Sequence, residues 1–157
     1  MELVARSDEA TQDGCDVLVL DTEPRSSALW KQALTLADQV LVVVTAGGAP
    51  LETVLATEVI LEDCLTAEGR PPATYLINRF DGRRQGDRSA LAMLRTRLGT
   101  RVLPFTMQED AAVRRAQAEG QLLAQSSAGS QVVADFNAIA DWVIGRRREG
   151  ISGARLA

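Results

Sequence analysis

DVLVLDTEPRSSALWKQALTLADQVLVVV, residues 16–44, decides the fold class. Asp16–Leu20 contains a short unbroken apolar run rich in β-branched side chains, the pattern of a strand buried on both faces. Asp21 closes that run, and Thr22–Ser27 holds a proline and two serines, which read as a loop and helix cap. Ala28–Ala37 then carries apolar residues at helical spacing, and Val40–Val44 is a second buried strand. Strand, helix, strand with a single crossover is the unit from which parallel sheets are built.

The unit recurs further along. Thr45–Pro50 is a turn, and Leu51–Leu65 is a helix with Leu51, Val54, Leu55, Leu61 and Leu65 on one side, a face that Glu58 interrupts. Gly69–Pro72 breaks the chain, and Ala73–Ile77 is a third strand. The polar stretch Asn78–Gly86 leads to a helix over about Asp87–Leu98, which Gly99 stops. Arg101–Phe105 is expected as a fourth short strand ending at Pro104, and Glu109–Gln125 as a helix with a weak point at Gly120. After a serine-capped loop, Val132, Val133, Phe136, Ile139, Ala140 and Val143 stripe a final helix to about Arg147. These elements predict an α/β fold, a mostly parallel sheet with helices on both faces. The division is a polar lead-in over 1–14, a single α/β domain over 15–148 and a flexible tail over 149–157.

Composition narrows the function. Lysine and arginine number 17 against 21 acidic residues, a net charge of −4, so no global positive field exists to hold nucleic acid. With no histidine, and no close pairing of Cys15 and Cys64, the usual zinc constellations cannot be built, and any metal must be bound through oxygen. The start, MELVARSDEATQDG, is acidic and polar rather than a secretion signal, and no apolar stretch reaches the ~20 residues of a membrane span. A cytoplasmic location follows as the expectation.

Ligands of open parallel sheets bind outside the carboxyl ends of the strands, here Asp21–Ser26, Thr45–Gly48, Asn78–Asp81 and Pro104–Gln108. Asp21 after its apolar run has the pattern by which nucleotide hydrolases place a carboxylate near magnesium, and is equally a helix cap or loop anchor. Asn78 offers an amide suited to a base edge beside the cation Arg79, and is also good turn chemistry.

The 16–44 segment is similar to the stretch of ParA/MinD-like ATPases, P-loop proteins of the SIMIBI class, that runs from the Walker B strand to the next strand. YLINRF resembles that family's later strand-plus-Asn signature. The resemblance is more specific to the cellulose biosynthesis protein BcsQ family, through LDTEPRSSAL, LINRFDGRRQGD, RVLPFTMQEDAAVRRAQAEGQ and the closing ADWVI, and it spans Asp16 to Ile144. It implies a P-loop NTPase-like fold. By position it implies Asp21 as the magnesium-side carboxylate acting through water, Asn78 with Arg79 at the adenine, and Pro104–Phe105 as the loop flanking the base.

One family element is missing from these residues. No Gly-rich GK[ST] loop precedes Asp21, and Lys31, the sole lysine, falls inside a helix. That loop supplies the backbone N–H groups and lysine that hold phosphates. The chain is therefore expected not to hydrolyse ATP alone, with ATP and magnesium entering only if another chain or a longer parent supplies the loop. The strand feeding that loop lies in the family between the Walker B strand and the one matched by Val40–Val44, so the sheet is expected to lack its middle and expose apolar edges.

The resemblance implies a role in localising or assembling the cellulose synthase complex, with its subunits or a homodimer partner as binding partners. Trp142–Ile144 followed by Arg146–Arg148 has the composition of a basic-anchored membrane-surface helix, or of a core-packing helix with solvated arginines. Two other functions fit less of the sequence. A generic ParA/MinD-like positioning ATPase keeps the fold without the pathway. A receiver-like signalling module needs an acidic pair after the first strand and a lysine after the last, and RVLPFTM has no such lysine.

Overall fold

The run LVVVT forms the first strand, β1 (Leu41–Thr45), in the computed structural model of the chain, which describes residues 16–22, 28–47, 51–126 and 129–154. Helix α1 (Ala28–Leu36) precedes it. There follow α2 (Leu51–Ala67), β2 (Thr74–Phe80), α3 (Gln85–Leu98), a 3-10 turn at Gly99–Arg101, β3 (Val102–Gln108), α4 (Ala111–Ala118), α5 (Leu123–Ser126) and α6 (Gln131–Ala154). The strands lie in the order β1-β2-β3, and β2 pairs with β3 in parallel. On the other side Thr74 N donates to Val40 O and Ala46 N to Asn78 O, both at 2.9 Å. Residue numbers rise together along the two strands, so this pair is parallel as well. The expected α/β parallel architecture is present, with three strands among the described residues.

Two compact units divide the chain, and β1 and β2 pass from one to the other. The first comprises residues up to Val42 together with Glu52–Thr74; the second comprises Val43–Leu51 and Tyr75–Ala157. In the first unit Ala33, Leu34, Val54, Leu61, Leu65 and Ala73 are buried. In the second, Tyr75, Leu76 and Ile77 of β2 are buried with Leu94 and Leu98 of α3, Val102, Leu103 and Met107 of β3, and Val132 of α6.

The face of α2 is completed by a charge. Val54, Glu58, Leu61 and Leu65 form one buried stripe, so Glu58 lies within the apolar face that it was expected to interrupt. Burial, and then the neighbouring Glu62, push the Glu58 carboxyl above its ordinary 4.5. A carboxyl raised in the folded state carries no penalty below that ordinary value and costs stability as pH rises through it. Glu58→Gln is therefore expected to stabilise the chain at pH 7 and to leave it unchanged at pH 4, measured by urea unfolding. A loss of stability at pH 7 would contradict this.

Asp16–Leu20 does not form the expected buried strand. Residues 17–20 have no strand assignment, and Val17, Leu18 and Val19 are 44%, 46% and 81% exposed. An extended apolar run becomes a strand only when a neighbour takes its N–H and C=O groups, and no described strand lies beside this one. β1 likewise ends the described sheet. Hydrogen bonds to β2 use Val40 and Ala46, so by alternation the N–H and C=O of Val43 point to the open side, and Val43 is 56% exposed.

Other boundaries move: β2 runs on past the expected Ile77 to Phe80, and α6 past the expected Arg147 to Ala154, into the stretch expected as a flexible tail. The strand expected to stop at Pro104 continues to Gln108. Tyr75 pairs with Val102 and Ile77 with Thr106, so two residues of β2 span four of β3, and the ladder slips around the proline. Proline lacks the N–H for a ladder and is tolerated at such a bulge on a strand that ends the sheet. The long helix expected over Glu109–Gln125 is two helices, because Gly120 adopts φ +62 and turns the chain between α4 and α5. Gly99 closes α3 as expected, with φ +58.

Candidate functional site

The carboxyl ends of the three strands are laced together within the second unit. Ala46 N, just after β1, donates to Asn78 O, and Glu109 N, just after β3, donates to Phe80 O, each at 2.9 Å. Asp87 of the first turn of α3 is 4% exposed, and its Oδ2 accepts from Asp81 N at 2.9 Å. A Cβ added at Gly47 would lie 3.0 Å from Asp87 Oδ1, and Gly47 has φ +65. Glycine is required there on both counts. Asp135 of α6 is 8% exposed and reaches β3, its Oδ2 accepting from Gln108 N at 2.8 Å and its Oδ1 from Gln131 Nε2 at 2.9 Å.

Charge pairs cover this end of the sheet. Arg79 Nε donates to Glu109 Oε2 at 2.7 Å, and Arg114 NH1 to Glu109 Oε1 at 2.6 Å. Hydrogen bonds from Arg79 hold the Glu109 carboxyl below its ordinary range, with Arg114 adding to the effect. Asp81 accepts from Arg83 Nε at 2.9 Å, Arg83 NH2 at 3.0 Å and Arg83 N at 3.0 Å, with Arg84 Nε at 3.5 Å. Chiefly through the Arg83 side chain, the Asp81 carboxyl is lowered to about 2.

That depression fixes the pH behaviour. Asp81 contributes stability that is fully present above its ordinary 3.8 and is lost as pH falls through about 2. Titration of the Asp81 carboxyl by NMR is expected to report about 2, and Arg83→Gln to move it part of the way back, because the Arg83 N–H bond survives. An unchanged value in that variant would contradict the assignment.

Arg79 is the one non-glycine residue with positive φ among those described, at +56. The left-handed region costs a side-chain-bearing residue roughly 1–2 kcal/mol. Asn78 Oδ1, which accepts from Arg79 N at 2.9 Å, and the Glu109 pairing hold it there.

The residues expected from sequence divide accordingly. Asn78 and Arg79 stand together at the end of β2, with the Asn78 side-chain oxygen engaged by the backbone of its neighbour. Pro104 and Phe105 lie within β3 rather than in a loop after it; Pro104 O accepts from Arg95 NH2 at 3.2 Å, and Gln108–Asp110 occupy the strand end. Asp21 is exposed, follows the unpaired 17–20 run and belongs to the other unit. Lys31 sits exposed in the middle of α1. No group of three or more metal-ligating side chains occurs among the described residues.

Sequence reasoning reached Asp81 only as the last residue of the strand end Asn78–Asp81, and it passed over Asp87, Glu109 and Asp135. The first three left a signal: DGRR is a turn in which Asp binds forward to the backbone two residues on, and Asp87 and Glu109 stand beside a helix start and a strand end. Asp135 left none, since its partner Gln108 is 27 residues away.

Among the described residues, no helix is long and apolar enough to cross a membrane. No curated protein matches the chain. The model of one protein family, described as cellulose biosynthesis protein BcsQ, matches residues 2–144. The parallel α/β fold and this match over most of the chain assign it to the BcsQ family of cellulose biosynthesis proteins.

Proposed function

We propose that this chain works on the cytoplasmic side of bacterial cellulose synthesis and secretion as a binding component that helps to localise or assemble the synthase complex. The observation that carries this reading is the family match over residues 2–144, and the arginine–carboxylate pairs at the ends of β2 and β3 support a binding role. These residues alone do not turn over ATP. Nucleotide and magnesium, with Asn78 and Asp21 in the roles the family implies, enter only when a phosphate loop comes from another chain or a longer parent.

The open side of β1, with Val43 56% exposed, and the unpaired Val17–Val19 run are surfaces that synthase subunits or a second copy would cover. Helix α6 exposes Phe136 and Ile144, and Arg146 lies 5.7 Å from the Trp142 ring, a composition compatible with peripheral membrane contact. A fluorescently tagged synthase subunit, imaged in cells with and without this protein, tests the reading. Synthase is expected to lose its localised distribution, and cellulose output to fall, when the protein is removed. Unchanged distribution and output would overturn it.

A further inference from the structure

Asp81 and Glu109 stand at neighbouring strand ends, since Glu109 N bonds to Phe80 O, and adjacent strands are about 4.8 Å apart. Both carboxylates are recessed, with side chains 12% and 17% exposed. The guanidiniums they hold face outward: Arg79 is 62% exposed, Arg83 92%, Arg84 63% and Arg114 65%. Each carboxylate is shared by two arginines, so each group keeps a surplus positive charge. Arg88 adds another, because its bonds go to neutral groups, the Gly82 carbonyl at 2.6 Å and the Gln85 side-chain oxygen. Asp87, which is buried, and Asp110, which caps α4 through Ala112 N, add their charges to those of Asp81 and Glu109, so five arginines stand against four carboxylates and one positive charge remains in surplus.

We propose that this rim of Arg79, Arg83, Arg84, Arg88 and Arg114 is a docking surface for an acidic peptide segment of a partner protein. The inference stands apart from the pathway assigned above, since it rests on charge and geometry alone. Guanidinium forks match carboxylates in bidentate geometry, and recessed carboxylates already fix four of the five in place, which lowers the ordering cost of binding. An acidic peptide is favoured over nucleic acid because the chain carries −4 overall, which opposes long-range attraction of a densely charged polymer.

The test is fluorescence anisotropy of a labelled hexa-aspartate peptide titrated with the full chain at low salt. Saturable binding is expected, weakened at least tenfold in an R83Q/R84Q/R114Q variant whose circular dichroism is unchanged. Should that variant not fold, R88Q alone, which removes no carboxylate pairing, is expected to weaken binding about threefold, and an unchanged affinity in R88Q would then overturn the proposal. It is equally overturned by no saturable binding to the folded chain or by affinity indifferent to the triple substitution. Equal or tighter binding of a single-stranded oligonucleotide of the same charge would also overturn it, by assigning the rim to nucleic acid.

Discussion

Asp87→Ala is expected to lower the unfolding free energy by about 2–3 kcal/mol, the scale for stranding a buried backbone donor and leaving a void. Asp87 is 4% exposed and its Oδ2 takes the N–H of Asp81, the residue around which the turn after β2 is built. Without the carboxylate that N–H loses its acceptor at a part-buried position. Asp87→Asn keeps an oxygen that can accept the same bond and is expected to cost less than half as much. Gly47→Ala supplies a second handle. Its Cβ would press on Asp87 Oδ1 at 3.0 Å, so part of its cost should vanish in the Asp87→Ala background, while the part due to φ +65 remains. Urea unfolding of the three variants and the double variant measures this. A loss below about 0.5 kcal/mol for Asp87→Ala would show that the Asp81 N–H finds water.

Asp135→Ala is expected to be comparably damaging, at about 2–3 kcal/mol, by the same physics at the end of β3. Asp135 Oδ2 accepts from Gln108 N at the end of β3, and Oδ1 accepts from Gln131 Nε2. Truncation leaves two donors without their acceptor and removes the polar tie between α6 and β3. Hydrogen exchange should report it locally, with the Gln108 amide losing protection well beyond what the global loss of stability accounts for. Protection of Gln108 that follows global stability alone would mean that the tie contributes nothing of its own.

These two aspartates also mark how far the sequence could be read. Periodicity placed Val132 on the inner face of the last helix, and Val132 is 2% exposed. The same apolar pattern selected Phe136, which is 52% exposed, while Asp135 beside it is buried. Hydrophobicity ranks an aspartate outward, and only a partner 27 residues away makes burial favourable. Helix and strand types were legible because they depend on spacing within one segment, as in Leu41–Thr45 and in α3 with its Gly99 stop. Asp16–Leu20 has the same local pattern, yet it needs a neighbouring strand that periodicity within the segment does not supply. Pro104 was read as a strand end because proline cannot donate, but an edge strand absorbs it as a slip in register. At the candidate site the sheet's carboxyl ends and the pair Asn78–Arg79 were found from sequence. The sharing of Glu109 and Asp81 among arginines was not, because it depends on which strand ends lie side by side.

The central claim is that these residues act by binding partners and do not themselves carry out phosphate chemistry. Calorimetric titration of the purified chain with ATP in the presence of magnesium, followed by a hydrolysis assay on the same sample, tests it most directly. The account expects no saturable heat and no phosphate release above buffer. Micromolar binding with turnover that Asp21→Ala abolishes would contradict it, because a complete phosphate site would then have been built from these residues or between copies of them.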